Sequence, residues 1–365
     1  MSLAGLRTPA LLVRLDRVRA NLERMRGLLG GDMQRWRPHV KTSKIPQVFD
    51  LLLAAGVQRF KCATTREAQV LLGRARVAGI RADLLVAMPH RGPNLARLAE
   101  LAREFPEHRL ALITEDPGHA AAVRAALPDA GLYLDLNPGY DRTGIPRADR
   151  ARMHATAAAC GTALRGLHDY EGHVRHAGPA DRAAACALLY AGLLEIAAEL
   201  ASAGHAVREL LTSGTPTFEC ALACAPLRAF DHQVGPGTVV YFDGISTDFG
   251  LQGFAFAATV LASVVSAPAP GRVTCDAGSK ALDAAAGEPC ARVVGAAFVT
   301  PGHPSEEHLP LTGAASELPA PGARIELVPM HVCPTVNLAN HAVLLHGDRV
   351  LETVPVAARG HEAAF

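Results

Sequence analysis

Short apolar runs of strand length recur along the first two thirds of the chain, and Ala-, Leu- and Arg-rich stretches with helical spacing separate them. One such stretch, TREAQVLLGRARVAG, has Thr65 as a predicted N-cap and Glu67 in its first turn. Alternation of strand and helix predicts a parallel sheet. The predicted strands are MQRW (33–36), RFKCAT (59–64), ADLLVAM (82–88), RLALIT (109–114), GLYLDLN (131–137), LRGLHDY (164–170), RELLTSG (208–214) and HQVGPG (232–237).

Eight such units predict an α/β fold, a (β/α)8 TIM-type barrel, with an open doubly wound sheet of six or seven strands as the alternative. After residue 237 the chain becomes rich in β-type segments joined by Gly/Pro turns such as APAPG, which predicts an antiparallel β domain. We therefore predict three parts: an N-terminal segment (1–20) that pairs with the β domain, the barrel (21–237) and the C-terminal β domain (238–365).

Composition narrows the class of protein. The 365 residues are 49 % hydrophobic and 19 % charged, and the net charge is +1, so charge gives no support for binding nucleic acid or a membrane surface. The N-terminus lacks a signal-peptide pattern, and we expect no apolar stretch long enough to span a membrane. Eight cysteines without framework spacing indicate reduced thiols, consistent with a cytoplasmic protein, although Cys220 and Cys224 form a C-x3-C pair.

Barrel enzymes carry their active sites at the carboxyl ends of the strands. The polar residues predicted there are His39, Lys41 and Lys44 after the first strand, Tyr140 and Arg142 after the fifth, His168, Tyr170 and His173 after the sixth, Ser213, Gly214, Thr215 and Thr217 after the seventh, and Tyr241 and Asp243 after the eighth.

This set predicts pyridoxal 5′-phosphate chemistry. A Ser-Gly-Thr turn can present hydroxyl and backbone N–H groups to a phosphate. Lys41 can form a Schiff base with an aldehyde if burial or a nearby cation lowers its pKa, and His39 or Arg142 could supply that cation. A lysine combined with a phosphate cup inside a barrel suits a cofactor that acts as an electron sink.

The β domain contributes a predicted metal pair in MHVCPT. His331 and Cys333 are two residues apart on a predicted strand, so their side chains leave the same face. Such an N/S pair favours Zn(II) among divalent metals, with Mn(II) as an alternative. A buried histidine beside a core cysteine would explain the same spacing without a metal. The other polar cluster, SEEH (305–308), fits a solvated surface group.

The chain resembles the D-threonine aldolase and D-serine dehydratase branch of the alanine-racemase-like pyridoxal-phosphate enzymes. The motifs that carry the resemblance run in order through nearly the whole chain: TPALLVRLDRVRANL, RPHVKTSK, KCATTREA, DLNPGYDRTG, SGTPTF, PGTVVYFD, DAGSKAL, SEEH and PMHVCPTVNL.

The resemblance implies site residues, position by position. Lys41 looks like the lysine that holds the cofactor. Arg142, within Tyr140-x-Arg142-x-Gly144, looks like the arginine that approaches the cofactor ring. We also predict catalytic roles for His39 and Tyr170 and cofactor binding by Tyr241. The remaining implied positions are the phosphate cup at Ser213, Gly214 and Thr215 and the divalent-metal pair at His331 and Cys333.

The resemblance implies a lyase that acts on a D-configured β-hydroxy-α-amino acid. Enzymes of this branch are usually homodimers. A His-x-Cys pair resembles the zinc-dependent D-serine dehydratases, so we expect dehydration to a 2-oxo acid and ammonia. Aldol cleavage to glycine and an aldehyde is the alternative. Three other possibilities are a racemase that uses Tyr241 as a second acid/base, a non-catalytic cofactor carrier, and a cofactor-free barrel with structural zinc. Ser43 stands where the branch commonly has histidine, which leaves the substrate side chain open.

Overall fold

A computed structural model describes residues 3–176 and 178–363. These residues form two compact units. The barrel unit comprises 26–41, 49–176, 178–237 and 361–363, and the β unit comprises 3–25, 42–48 and 238–360. The helices are α1 (Leu15–Leu28), α2 (Pro46–Ala54), α3 (Thr65–Val77), α4 (Gly92–Glu104), α5 (Pro117–Ala126), α6 (Arg150–Cys160), α7 (Pro179–Ser202), α8 (Phe218–Ala223), α9 (Gly244–Asp248) and α10 (Val332–Leu338).

The strands follow the predicted change from parallel to antiparallel pairing. They are β1 (Ala10–Arg14), β2 (Arg59–Cys62), β3 (Asp83–Val86), β4 (Arg109–Thr114), β5 (Gly131–Asn137), β6 (Ile145–Pro146), β7 (Leu164–Asp169), β8 (Glu209–Thr212), β9 (Asp231–Val234), β10 (Ala258–Ala269), β11 (Arg272–Cys275), β12 (Ala291–Val293), β13 (Thr300–Pro301), β14 (Leu309–Thr312), β15 (Arg324–Pro329), β16 (His341–His346) and β17 (Arg349–Pro355).

The barrel unit is a curled parallel sheet in the order β2-β3-β4-β5-β7-β8-β9, with β6 beside β5. The segment 36–40 joins its two ends, because Trp36 bridges to Val234 and His39 bridges to Lys61, both in parallel. The N–H of Val40 also donates to the carbonyl of Lys61 at 2.8 Å. This closure confirms the barrel prediction over the open sheet.

The predicted first strand, MQRW, is wrong in its placement. Residues Met33–Arg35 form a 3-10 helix, because the side chain of Asp32 accepts a hydrogen bond from the N–H of Gln34 and caps it. The extended residues begin at Trp36 and run towards Lys41, so the strand position lies about three residues later than predicted.

The barrel interior holds a buried charge network at the amino ends of the strands. Arg37, which has no exposed surface, donates to the side chain of Gln233 at 2.6 Å and to the carboxylate of Asp83 at 3.2 Å. Arg165 donates to Asp83 at 2.5 Å and to Glu209 at 2.8 Å. Buried charges are tolerated when they are paired in this way. The network fixes the segment from Arg37 towards Lys41, which occupies the place of the first barrel strand.

The β unit is built on a sheet in the order β13-β14-β11-β10-β1-β16-β17, with β15 beside β10 and β12 beside β15. The N-terminal strand β1 pairs antiparallel with β10 and parallel with β16. Its core consists of alternating apolar residues from these strands, among them Val260, Ala262, Val264, Val273, Leu309, Leu311 and Leu327.

Helix α7 differs from one sequence expectation. Its 24 residues are long and apolar enough to cross a membrane by length and composition alone, whereas we expected no such stretch. A core helix passes the same test, and α7 has a buried face that includes Tyr190, whose hydroxyl donates to Glu171 at 2.5 Å within the barrel unit. The composition of α7 is therefore weak evidence for a membrane.

Candidate functional site

Lys41 directly follows the segment 36–40, which occupies the place of the first barrel strand. The segment containing His39 is held against β2, because Lys61 and His39 form a parallel bridge and the N–H of Lys61 donates to the carbonyl of Pro38 at 2.9 Å. The backbone N–H of Lys41 donates to Nδ1 of His39 at 3.3 Å. Because that nitrogen accepts, the ring proton of a neutral His39 is on Nε2. The Lys41 side chain is exposed.

The predicted Tyr140, Arg142 and Tyr170 come together at the carboxyl ends of β5 and β7. The Arg142 guanidinium carbon lies 4.9 Å from the ring centroid of Tyr140 and 5.0 Å from that of Tyr170. The two tyrosine rings meet edge to face at 6.0 Å. Such contacts hold a cation over aromatic faces. These three side chains and Asp135 line a small pocket.

Beneath this cluster, the neighbouring strands place His168 beside Asp135 in register. Both side chains are buried, and Nδ1 of His168 lies 2.7 Å from Oδ1 of Asp135. Burial lowers the pKa of His168, although the carboxylate of Asp135 acts in the opposite direction. The second oxygen of Asp135, Oδ2, is buried without a hydrogen-bond partner among the described residues.

One backbone donor of the predicted phosphate cup is already engaged within the protein. Ser213 has a φ of +65° and its N–H already donates to Glu171 at 3.1 Å. Its hydroxyl, in contrast, is buried and has no partner among the described residues. Gly214 is required by packing, because a Cβ there would lie 2.8 Å from the ring of Tyr170. Thr215 is also buried beside this turn. The Ser213 hydroxyl is thus a buried donor that a ligand could accept from.

Sequence reasoning missed Lys61, which lies on β2 in the barrel interior and is 4 % exposed. Its Nζ is 5.6 Å from the ring centroid of Tyr170. Burial lowers its pKa to about 7, and the positive charges of Lys41 and Arg142 act in the same direction. Its position inside a predicted strand gave no reason to expect a site residue.

In the β unit, His331 and Cys333 do lie together, but not on a strand. Strand β15 ends at Pro329, and His331 is the N-cap of α10. The helix begins here because Asp243 accepts a hydrogen bond from the N–H of Val332 at 3.1 Å. The strand prediction is therefore wrong, whereas the side chains of His331 and Cys333 share a hydrogen bond.

The surroundings of this pair suit a divalent metal. Nδ1 of His331 lies 3.2 Å from a carboxylate oxygen of Asp283, a contact that orients metal-binding histidines. The Sγ of Cys333 lies 3.0 Å from the hydroxyl of Thr42 and 3.7 Å from that of Thr238. Burial acts to lower the pKa of His331, but its contacts with Cys333 and nearby carboxylates raise it. No set of three metal-type side chains occurs among residues 3–176 and 178–363, so two protein ligands are the set available.

Two other predicted positions are engaged in backbone contacts within the β unit. The hydroxyl of Tyr241 is buried and donates to the carbonyl of Ser43 at 2.7 Å. Lys44, with a φ of +50°, donates from Nζ to the carbonyl of Ala358 at 3.4 Å. These contacts hold residues 42–48 in place.

The remaining candidates lie elsewhere. Cys220 and Cys224 are free thiols, and the neighbour that lowers the pKa of Cys220 most is Cys186. Glu306 and Glu307 are exposed beside Lys280, as a solvated group would be. A cavity of about 290 Å³ lies at the amino ends of β4, β5 and β7, the end of the barrel opposite to Lys41.

The barrel residues fit pyridoxal phosphate. The fit rests on the exposed amine of Lys41, the cation of Arg142 and two buried polar atoms without partners, the Ser213 hydroxyl and Asp135 Oδ2. A buried polar atom without a partner calls for an explanation, and a bound ligand at a strand end supplies one. In the same way, the N/S donor set of the β unit fits zinc.

Comparisons with known proteins give the same class. The profile described as "Alanine racemase, N-terminal domain" matches residues 13–244, and that described as "Putative serine dehydratase domain" matches residues 257–345. A D-threonine aldolase from Arthrobacter sp is 29 % identical, over 98 % of this chain and 94 % of the relative. A D-threo-3-hydroxyaspartate dehydratase from Delftia sp. (strain HT23) is 28 % identical, over 92 % and 93 %. The crystal structure of D-threonine aldolase from Filomicrobium marinum has a TM-score of 0.88 at 27 % identity, and covers 98 % of this chain and 97 % of that one.

Proposed function

Because the chain belongs to the alanine racemase N-terminal domain family, we propose that it is a pyridoxal-phosphate- and metal-dependent lyase that acts on a D-β-hydroxy-α-amino acid. The observation that carries this proposal is the location of Lys41, Arg142 and the unpaired Ser213 hydroxyl at the carboxyl ends of the barrel strands. Relatives that match nearly the whole chain are lyases for such substrates.

The barrel residues have separate roles in holding the cofactor and in moving the substrate proton. Lys41 would hold the cofactor covalently, the Ser213 hydroxyl would donate to its phosphate, and Arg142, fixed over Tyr140 and Tyr170, would direct positive charge at its ring. Bound there, pyridoxal phosphate supplies an electron sink for negative charge at the substrate Cα. The Nζ of Lys41 would accept the Cα proton.

His331 and Cys333 would hold a divalent ion, for which the thiolate favours zinc. A metal ion on this pair is a Lewis acid that makes a hydroxyl group a better leaving group or lowers its pKa. The carboxylate of Asp283 keeps the imidazole of His331 oriented.

We propose dehydration, giving a 2-oxo acid and ammonia, as the main outcome, since the His-x-Cys pair resembles the zinc-dependent D-serine dehydratases. Aldol cleavage is the second candidate, because D-threonine aldolase is among the relatives. A homodimer and a cytoplasmic location remain predictions, as do the roles of His39, Tyr170 and Tyr241.

The test is product analysis of the purified protein with D-serine, D-threonine and D-threo-3-hydroxyaspartate, with and without a chelator. Chelator-sensitive 2-oxo acid and ammonia in equal amounts support dehydration, and glycine with an aldehyde supports aldol cleavage. Racemised substrate without either product would favour a racemase, and the absence of any turnover in protein loaded with cofactor and zinc would contradict the lyase proposal.

A further inference from the structure

Lysine is rare in this chain. Of its 36 lysines and arginines, four are lysines: Lys41, Lys44, Lys61 and Lys280. Lys280 is exposed and paired with glutamates, and Lys44 donates to a backbone carbonyl. Lysine differs from arginine because burial readily shifts its protonation. A buried lysine in an arginine-rich protein therefore calls for a specific explanation, and Lys61 is the one that the proposed function does not use.

The amine of Lys61 lies within the barrel, near the ends of β8 and β9. Its Nζ would be 2.7 Å from a Cβ placed on Gly235, which follows β9, so the amine occupies the space that a side chain there would fill. No hydrogen bond or ion pair to this Nζ occurs in the part of the chain that the structure describes. The ring of Tyr170 is its cation–π contact, with the centroid 5.6 Å away.

Ser213, which carries a buried donor without a partner among the described residues, lies beside the same glycine. The carbonyl of Ser213 would be 2.9 Å from that Cβ on Gly235, and the hydroxyl of Ser213 is the unpaired one described above. Leaving a buried donor unsatisfied costs about 1–3 kcal/mol. The Lys61 amine and the Ser213 hydroxyl thus belong to two residues that both lie next to Gly235, and they point to a ligand that accepts hydrogen bonds from both.

The charges around Lys61 favour an electron-rich ligand. Burial, with Lys41 and Arg142, lowers its pKa to about 7, while the carboxylates of Glu171 and Asp135 act in the opposite direction. The positive neighbours therefore outweigh the negative ones in their effect on the pKa. A ligand that brings negative charge or a lone pair to the Nζ would stabilise the ammonium form.

We propose that Lys61 is a cofactor-contacting residue, whose amine donates a hydrogen bond to an acceptor atom of pyridoxal phosphate, either a phosphate oxygen or the ring nitrogen. This inference rests on the proposed function, since it takes the cofactor to be bound through Lys41. It adds a second lysine to the site and explains why residue 235 is a glycine.

The experiment is a titration of apoprotein with pyridoxal phosphate and, separately, with pyridoxal, which lacks the phosphate, followed by visible absorbance. Lys61→Met is compared with the wild type and with Lys280→Met, an exposed control. We expect Lys61→Met to bind pyridoxal phosphate about 10- to 100-fold more weakly, as for loss of a charge-assisted hydrogen bond, with no change in Lys280→Met.

The two ligands distinguish the acceptor. If Lys61 contacts the phosphate, pyridoxal binds Lys61→Met and wild type equally. If it contacts the ring nitrogen, both ligands lose affinity and the absorbance maximum of the bound cofactor shifts. Lys61→Gln serves the same purpose if the Met variant does not fold. Unchanged affinity and spectrum in a folded Lys61 variant overturn this inference alone, whereas a wild type that gives no visible band overturns the proposed function as well.

Discussion

Asp83 lies at the centre of the buried charge network that fixes the segment leading to Lys41, and its charge should be worth several kcal/mol. Its side chain is 12 % exposed and accepts hydrogen bonds from Arg37 and Arg165. Asp83→Asn keeps the size of the side chain but leaves both arginines with less negative charge. Removing one partner of a buried ion pair costs about 3–5 kcal/mol.

We place the loss for Asp83→Asn at the lower end, about 3 kcal/mol, because Glu209 still pairs with Arg165 and lies 3.7 Å from Arg37. Asp50 provides a matched control, since its ion pair with Arg74 is about one-third exposed on both sides. Asp50→Asn should therefore cost less than about 1 kcal/mol.

The chain has a single tryptophan, so its fluorescence can follow the unfolding of one defined region. Trp36 is fully buried in the barrel unit and donates from Nε1 to the carbonyl of Pro236 at 2.8 Å. Its fluorescence during urea unfolding reports the free energy of unfolding of the barrel. If Asp83→Asn unfolds within 1 kcal/mol of the wild type at pH 7, or no more easily than Asp50→Asn, the network does not carry the charge energy assigned to it.

The same network gives a pH dependence. Burial acts to raise the pKa of Asp83, but the charges of Arg37 and Arg165 outweigh it and hold that pKa well below its usual range. A folded-state pKa below the unfolded one stabilises the protein above the unfolded value, near 4, and this stabilisation is lost as the pH falls through the folded value. The difference in unfolding free energy between wild type and Asp83→Asn should therefore narrow below about pH 4.

Two further predictions concern the site itself. Gly235→Ala places a Cβ 2.9 Å from the backbone carbonyl of Ser213. The free energy of unfolding, measured by urea unfolding, should therefore fall by about 1–3 kcal/mol. An unchanged midpoint would show that the strand ends move apart easily. Cys333→Ala should lose bound zinc after dialysis, measured by elemental analysis, while Cys290→Ala, a core thiol, should keep it; equal zinc in both variants would place the metal elsewhere.

The barrel could be predicted because its central strands are continuous apolar runs. The bounds of β4 and β5 match the predicted 109–114 and 131–137 to the residue, as expected for strands buried on both faces. MQRW could not be placed, because a run of four residues does not distinguish a short strand from the 3-10 helix that Asp32 caps.

Long-range contacts explain the remaining differences. The spacing of His331 and Cys333 fits a strand, and only Asp243, about 90 residues earlier in the sequence, starts a helix there by capping Val332. Lys61 lies inside a correctly predicted strand, where side chains alternate between the two faces, and the sequence does not show that its amine reaches residue 235. The scarcity of lysine was the available signal.

The central claim is that Lys41 holds the cofactor, and its most direct test is borohydride reduction of the protein loaded with pyridoxal phosphate, followed by peptide mass spectrometry. With only four lysines in the chain, every candidate can be examined. We predict a visible absorption band and a reduced cofactor adduct on Lys41, both absent in Lys41→Ala. An adduct on Lys44, Lys61 or Lys280 instead, or no adduct at all, would contradict the account.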